Sequence, residues 1–136
     1  MGRKPKGIVL DTWAVLAYLA DEGAGERVAD IIATAHEEGT PLMMTTVNAG
    51  EVWYILARRI SESEADQGIS GLRQLGIEFV DADWSLARQA GVFKSRYRMS
   101  FADCFAAALA RETKADLVTG DQEFQQVAGE VKIAWL

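Results

Sequence analysis

Four acidic residues stand where an α/β protein keeps its chemistry. Asp11 ends the apolar run that begins at Gly7, and Glu51 follows the run 41–45 after a short interval. Asp121 follows Asp116-Leu-Val-Thr119, and Asp103 lies in the first turn of a predicted helix opened by Ser100. If the runs are parallel strands, their carboxyl ends share one edge, and ligands of open α/β sheets bind beyond that edge. Carboxylates gathered there repel one another, and a hard divalent cation removes the repulsion. Mg²⁺ or Mn²⁺ prefers oxygen ligands and keeps several waters. Such a pocket polarises a phosphate and lowers the pKa of an attacking water, which is the equipment of phosphodiester chemistry. Asn48 shares a helical face with Glu51, where it can orient that water or a ligand carboxylate.

Each acid also has a local explanation. Ser100-Phe-Ala-Asp103 and Asn48-Ala-Gly-Glu51 both fit the capping box, and Asp11 and Asp121 fit simple N-caps. An acid in a first turn gains about 0.3–1 kcal/mol from the helix dipole. Capping explains why an acid sits at a helix start. It does not require four of them on one edge.

The elements that must position these residues follow from periodicity. Short apolar runs alternate with longer helical stretches, which reads as α/β with a parallel sheet. Strands are expected at 7–11, 41–45, 77–80, 116–119 and 131–135. Helices are expected at 12–20, 25–38, about 48–60, 63–75, 83–97 and 100–113, with a helical turn from Asp121. The stretch from Trp13 to Leu19 is apolar on nearly every side, so it is either deeply buried or part of a contact with another chain. At 136 residues the chain is the usual size of one domain, assigned to 8–136, after a basic N-terminal tail over 1–7.

Composition removes other classes. The single cysteine, Cys104, and single histidine, His36, exclude an internal disulfide, a cysteine-based zinc cluster and a supported Ser-His or Cys-His mechanism. Cys104 reads as a small core residue and His36 as exposed. The longest apolar run is far shorter than the ~20 residues needed to span a bilayer, and no signal peptide is read at the start. The expected compartment is the cytoplasm. A net charge of −6 is unlike a non-specific nucleic-acid coat protein, so any nucleic-acid chemistry needs a local basic strip or a metal ion.

The motifs Val9-Leu-Asp11-Thr12, Asn48-x-x-Glu51-Val52, Ser100-x-Ala-Asp103-Cys104 and Thr119-Gly-Asp121-x-x-Phe124, in this order, resemble the PIN-domain ribonucleases. At this length the chain is most similar to the VapC toxins of toxin–antitoxin pairs. The resemblance covers Ile8 to Trp135. It implies a three-layer α/β/α sandwich with a central, mostly parallel sheet, and a Mg²⁺-dependent endoribonuclease acting on single-stranded RNA. It implies that Asp11, Glu51, Asp103 and Asp121 form the acidic site, with Asp11 and Asp103 the most direct ligands and Asn48 and Thr119 in support. It also implies a homodimer and a cognate antitoxin. Trp13 departs from the small polar residue often found after the Asp-Thr pair.

From Trp84 to Ala102 there is no acid, and Arg88, Lys94, Arg96 and Arg98 make the clearest positive strip. Lys94, Arg96 and Arg98 are the candidate RNA contacts, with Phe93 and Tyr97 available to stack on a base; the alternative is that these aromatics face the core. Arg58 and Arg59 read as an ordinary helix C-terminal pair. Trp53, Tyr54 and the Trp13–Leu19 helix offer apolar surface for a second copy or an antitoxin. A partner peptide there would reach the acids with an arginine, whose planar fork pairs with carboxylates. Two other readings stay open: a phosphatase-like or receiver-like protein, and a non-catalytic binding module. The first lacks a second acid at Trp13, and a phosphate loop at Gly23-Ala-Gly25 would follow a helix rather than a strand.

Overall fold

The computed structural model describes residues 4–20 and 23–136. Of the basic segment 1–7, residues 1–3 lie outside the described residues. Five strands form one sheet: β1 (Ile8–Leu10), β2 (Leu42–Thr45), β3 (Ile77–Val80), β4 (Asp116–Thr119) and β5 (Ile133–Trp135). Their spatial order is β3-β2-β1-β4-β5, and all four pairings are parallel. The sheet expected to be mostly parallel is therefore wholly so. Six helices connect the strands: α1 (Thr12–Leu19), α2 (Gly25–Glu38), α3 (Thr46–Arg59), α4 (Glu62–Gln74), α5 (Trp84–Arg96) and α6 (Phe101–Thr113), and a 3₁₀ turn spans Gln122–Val127.

The strands are apolar on both faces because both faces are covered. Successive residues alternate sides. Ile8, Leu10, Leu42, Met44 and Val118 pack under Val15 of α1, Val28 and Ile32 of α2, Val52 of α3 and Leu72 of α4. Val9, Met43 and Leu117 pack on the other face under Leu86 and Phe93 of α5 and the α6 residues Cys104 to Ala110. The result is three layers, α/β/α. The run Cys104-Phe-Ala-Ala-Ala-Leu-Ala110 is buried throughout, and its small side chains let α6 lie close to the sheet. That centrality fixes the N-terminus of α6, and with it Asp103.

Strand order reverses at β1, which lies between β2 and β4. The crevice beyond the carboxyl ends of β1 and β4 is the topological switch point of this sheet. Gly25 opens α2 where a Cβ would lie 2.6 Å from the Ala17 carbonyl oxygen, so this glycine serves a close approach of α2 to α1 rather than a phosphate loop. Helix α1 is less uniformly buried than its composition suggests. Thr12, Ala14, Val15 and Ala17 face inward, and Trp13 is 39% exposed.

Candidate active site

Register brings the first two site residues together. Leu10 pairs with Val118 across β1 and β4, so the next residues, Asp11 and Thr119, are neighbours at the carboxyl edge. Asp11 is the N-cap of α1 in extended conformation. Its Oδ1 accepts from the Ala14 N–H at 2.8 Å and its Oδ2 from the Thr119 hydroxyl at 2.5 Å. Thr119, also buried, accepts in turn from the Asp121 N–H at 3.0 Å. One hydroxyl thus ties the acid after β1 to the acid after β4. Asp11 is only 1% exposed. Burial pushes its carboxyl up to about 7; the Thr119 and Ala14 donors pull it down, and the charges of Asp103 and Asp121 add to the rise.

Asn48 lies deeper than its expected role. Helix α3 begins at Thr46, with Thr45 as N-cap, and the Thr45 hydroxyl accepts from the Asn48 N–H at 3.0 Å. The expected Asn48–Glu51 capping box is therefore not formed. Thr45 ends β2 in extended conformation and supplies the cap three residues earlier. The fully buried Asn48 side chain accepts from the Thr45 hydroxyl at 2.5 Å and donates to the Thr12 hydroxyl and the Ala102 carbonyl, both at 3.2 Å. It clamps β2, α1 and the first turn of α6 together beneath the acids. Glu51 then falls in the second turn of α3, half-buried on the cleft wall.

Asp103 sits on the first turn of α6, its N–H donating to the Ser100 N-cap hydroxyl at 3.1 Å. Asp121 caps the 3₁₀ turn, accepting from the Glu123 N–H at 2.9 Å. Two of the four acids expected at the site, Asp11 and Asp121, do cap, so the local and the chemical explanations hold at the same residues. Carboxylate oxygens of Asp103, Asp121 and Glu123 lie within 4.8 Å of one another. Desolvation pushes the Asp103 carboxyl up to about 6, with Asp121, Glu51 and Glu123 adding to the rise and the Ser100 hydroxyl opposing it. Glu123 is the residue the motif reading passed over. A tight 3₁₀ turn returns its side chain beside the Asp121 it follows.

The tightest group of ligand atoms among the described residues is therefore Asp103, Asp121 and Glu123, with Glu51 on the same cleft and Asp11 buried nearby. These acids suit a hard divalent ion: the donors are all carboxylate oxygens, and the charges of Asp121, Glu51 and Glu123 add to the desolvation that pushes Asp103 up. Soft ligation has no support here. Cys104 is buried in the core and burial pushes its thiol up to about 11. His36 is exposed and its Nε2 meets the Leu75 carbonyl at 2.6 Å, away from the site.

A cleft of ≈ 240 Å³ opens over the acids, lined by the polar Glu51, Ser100, Asp103 and Asp121 and by the apolar Trp13, Leu16 and Ile55. A separate, mostly apolar cavity of ≈ 280 Å³ between α2 and the β4–β5 side of the sheet contains none of the four expected acids.

The basic strip divides. Lys94 donates to the Met99 carbonyl at 2.7 Å, holding the loop before α6. Arg96 and Arg98 are exposed and form no ion pair among the described residues. Gln126 pins the Arg98 backbone against the 3₁₀ turn through two hydrogen bonds of 3.1 Å, so Arg98 stands on a loop tied to the segment that carries Glu123. The interleaved aromatics are engaged within the fold. Phe93 is buried under the sheet, and the Tyr97 hydroxyl donates to Glu130 at 2.6 Å. Trp53 donates from its indole to Asp66 at 2.9 Å and packs α3 on α4, and the Arg58 guanidinium covers the Tyr54 ring at 5.0 Å.

The PIN domain family profile matches residues 8–130. No curated protein matches the sequence. Among solved structures, VapC20 of Mycobacterium tuberculosis, described as a sarcin-ricin loop cleaving toxin, is similar with a TM-score of 0.70 at 22% identity, over 93% of this chain and 98% of its own. DNA-bound VapBC of Salmonella typhimurium is similar with a TM-score of 0.78 at 15% identity, over 94% and 96%. FitAcB of Neisseria gonorrhoeae is similar with a TM-score of 0.65 at 20% identity, over 93% and 95%. With its family pattern running from β1 past the 3₁₀ turn, and its sheet shared with these structures, the chain belongs to the PIN domain family.

Proposed function

We propose that this chain is a Mg²⁺- or Mn²⁺-dependent endoribonuclease and the toxin of a type II toxin–antitoxin pair. The observation that carries the reading is the meeting of Asp103, Asp121 and Glu123 within 4.8 Å at the carboxyl edge of a PIN-domain sheet, with Glu51 lining the same cleft as Asp103 and Asp121. Asp103, Asp121 and Glu123 would hold the ion, with Asp11 buried nearby. A bound divalent ion supplies a polarised phosphate and a more acidic water. Asp11 and Thr119 hold the Asp121 backbone in place through the shared hydroxyl. Asn48 fixes the start of α6 and so the direction of Asp103. Glu51, in the same cleft lining, is placed to take a proton from the attacking water. Arg96 and Arg98 hold flanking phosphates, and Lys94, engaged with the Met99 carbonyl, shapes the loop that presents them.

Residues 8–136 act as one unit in this reading, and the working assembly is a homodimer in the cytoplasm. Among the described residues no helix is long and apolar enough to cross a membrane. Several structural neighbours are toxin–antitoxin complexes, and the pocket's negative potential suits an inhibitor that inserts an arginine among the acids. Phosphatase-like and receiver-like readings do not fit a PIN-domain chain. A non-catalytic module does, and activity separates it.

The test is cleavage of single-stranded RNA by the purified chain, with Mg²⁺ and with chelator, alongside Asp103→Asn. The amide keeps the size, so stability should change by no more than about 1–2 kcal/mol. Ion-dependent cleavage by the wild type and none by the folded variant is expected. Equal cleavage by the variant would remove Asp103 from the site, and no cleavage by the wild type would leave a binding module.

A further inference from the structure

We propose that the exposed indole of Trp13 is the seat on which one base of the RNA substrate stacks, directly beside the carboxylates. The proposal rests on the ribonuclease reading above and adds a residue that none of the acidic motifs contains.

Three observations carry it. Trp13 is 39% exposed although it lies two residues after the buried Asp11, on a helix whose neighbouring residues Thr12 and Ala14 are in the core. Its side chain reaches across the mouth of the switch-point crevice to the turn after β4. A Cβ built on Gly120 would lie 2.3–2.7 Å from Cη2, Cζ3 and Cζ2 of this indole, so the six-membered ring rests on the bare backbone between Thr119 and Asp121. The same side chain lines the cleft with Glu51, Asp103 and Asp121.

The chemistry of that cleft is divided, and a nucleotide is divided in the same way. Part of its lining is carboxylate and suits an ion that receives a phosphate. Another part is aromatic and aliphatic, with Leu16 and Ile55 beside Trp13. It suits a flat apolar base. Sequence-tolerant binding of single strands combines these two elements, backbone charge and aromatic stacking. The indole is already fixed by Gly120, so a base that stacks on it pays little ordering entropy at the protein. The aromatics first expected to stack, Phe93 and Tyr97, are occupied elsewhere. Trp13, in the lining of the acidic cleft, is left to take that role.

The test is RNA binding without turnover, in chelator, using a single-stranded oligonucleotide that carries the fluorescent base 2-aminopurine. Stacking on the indole quenches that base. Trp13→Leu keeps apolar volume over Gly120 without a π-face, and Trp13→Phe keeps a smaller π-face. Melting curves establish that both variants fold. The wild type and Trp13→Phe should quench the probe. Trp13→Leu should not quench it, and should bind about 5- to 150-fold more weakly, the range seen when a stacking aromatic is removed. With Mg²⁺ present, the loss should appear in KM more than in kcat, and Mn²⁺ affinity should be unchanged.

Equal binding and quenching by Trp13→Leu and the wild type would overturn the seat while leaving the nuclease intact. Normal RNA binding by Trp13→Leu with lost binding of a partner protein would assign the indole to protein docking instead, and would also overturn it. A wild-type chain that neither binds nor cleaves RNA would overturn the ribonuclease reading itself, and the seat with it.

Discussion

Asp11→Asn should stabilise the metal-free protein at alkaline pH while removing a charge the proposed site uses. Asp11 is fully buried and its carboxyl is pushed from 3.8 up to about 7. The folded state therefore binds this proton more tightly than the unfolded chain does. The sign follows from linkage: the contribution to stability is fully present below pH 3.8 and is lost as pH rises through about 7. That gap corresponds to about 4 kcal/mol for holding the ionised carboxylate in the fold. Asparagine is neutral throughout, and it caps helices as well as aspartate, so its oxygen can keep the Ala14 N–H. The charge-assisted bond from Thr119 becomes an ordinary one, a loss of about 1 kcal/mol.

The net gain is about 2–3 kcal/mol near pH 8, falling toward zero near pH 4. For a chain of this size that is roughly 10 °C in Tm. Thermal melts in chelator across this pH range read it directly. Adding Mg²⁺ near pH 8 should raise the wild-type Tm and move the variant less, because a bound ion answers the same charge. A variant that melts below the wild type near pH 8, or by the same margin at every pH, would refute the reasoning. It would mean that Asp11 acts only as a cap.

Three further outcomes follow from the geometry. Reversing Arg96 and Arg98 together to Glu should weaken RNA binding most at low salt and flatten the log–log salt slope by about 1.4, at about 0.7 per phosphate contact on a single strand, with Mn²⁺ binding retained; an unchanged slope in a salt titration would place the pair away from RNA. Asn48→Ala should cost about 2–3 kcal/mol in urea unfolding, since it leaves the Ala102 carbonyl and the Thr12 and Thr45 hydroxyls short of partners in a buried place. Glu123→Gln should leave the melting temperature nearly unchanged and lower Mn²⁺ affinity by about tenfold or more in calorimetry, the scale of losing one carboxylate from the set.

Most of the architecture could be read from the residues because its causes are local or periodic. Strands apolar on both faces announce a covered parallel sheet, and Val28, Ile32 and Ala35 at helical spacing mark the inner face of α2. Asp11, Asp103 and Asp121 were legible because their neighbours say where a strand ends or a helix begins. The errors arise where distant or competing contacts decide. Thr45, Thr46 and Asn48 are three cap-competent residues in four positions; the strand is expected to end at Thr45, and what periodicity does not show is that α3 starts directly from it, with Thr45 itself as the cap. Tyr97 reads as a free aromatic until Glu130, far along the chain, takes its hydroxyl. Glu123 is neither one helical turn from Asp121 nor on an alternating strand face, and periodicity has no template for a 3₁₀ turn that places them together. The rest of Trp13 on Gly120 is likewise a contact between two ends of the sequence.

The central claim is that these acids hold a divalent ion at the carboxyl edge of the sheet. Crystals soaked in Mn²⁺ and measured at a wavelength where manganese scatters anomalously test it most directly. An anomalous peak bounded by carboxylate oxygens of Asp103, Asp121 and Glu123 is expected, lost in crystals of Asp103→Asn. A cleft without a peak at millimolar Mn²⁺, or a peak that persists in Asp103→Asn, would contradict it.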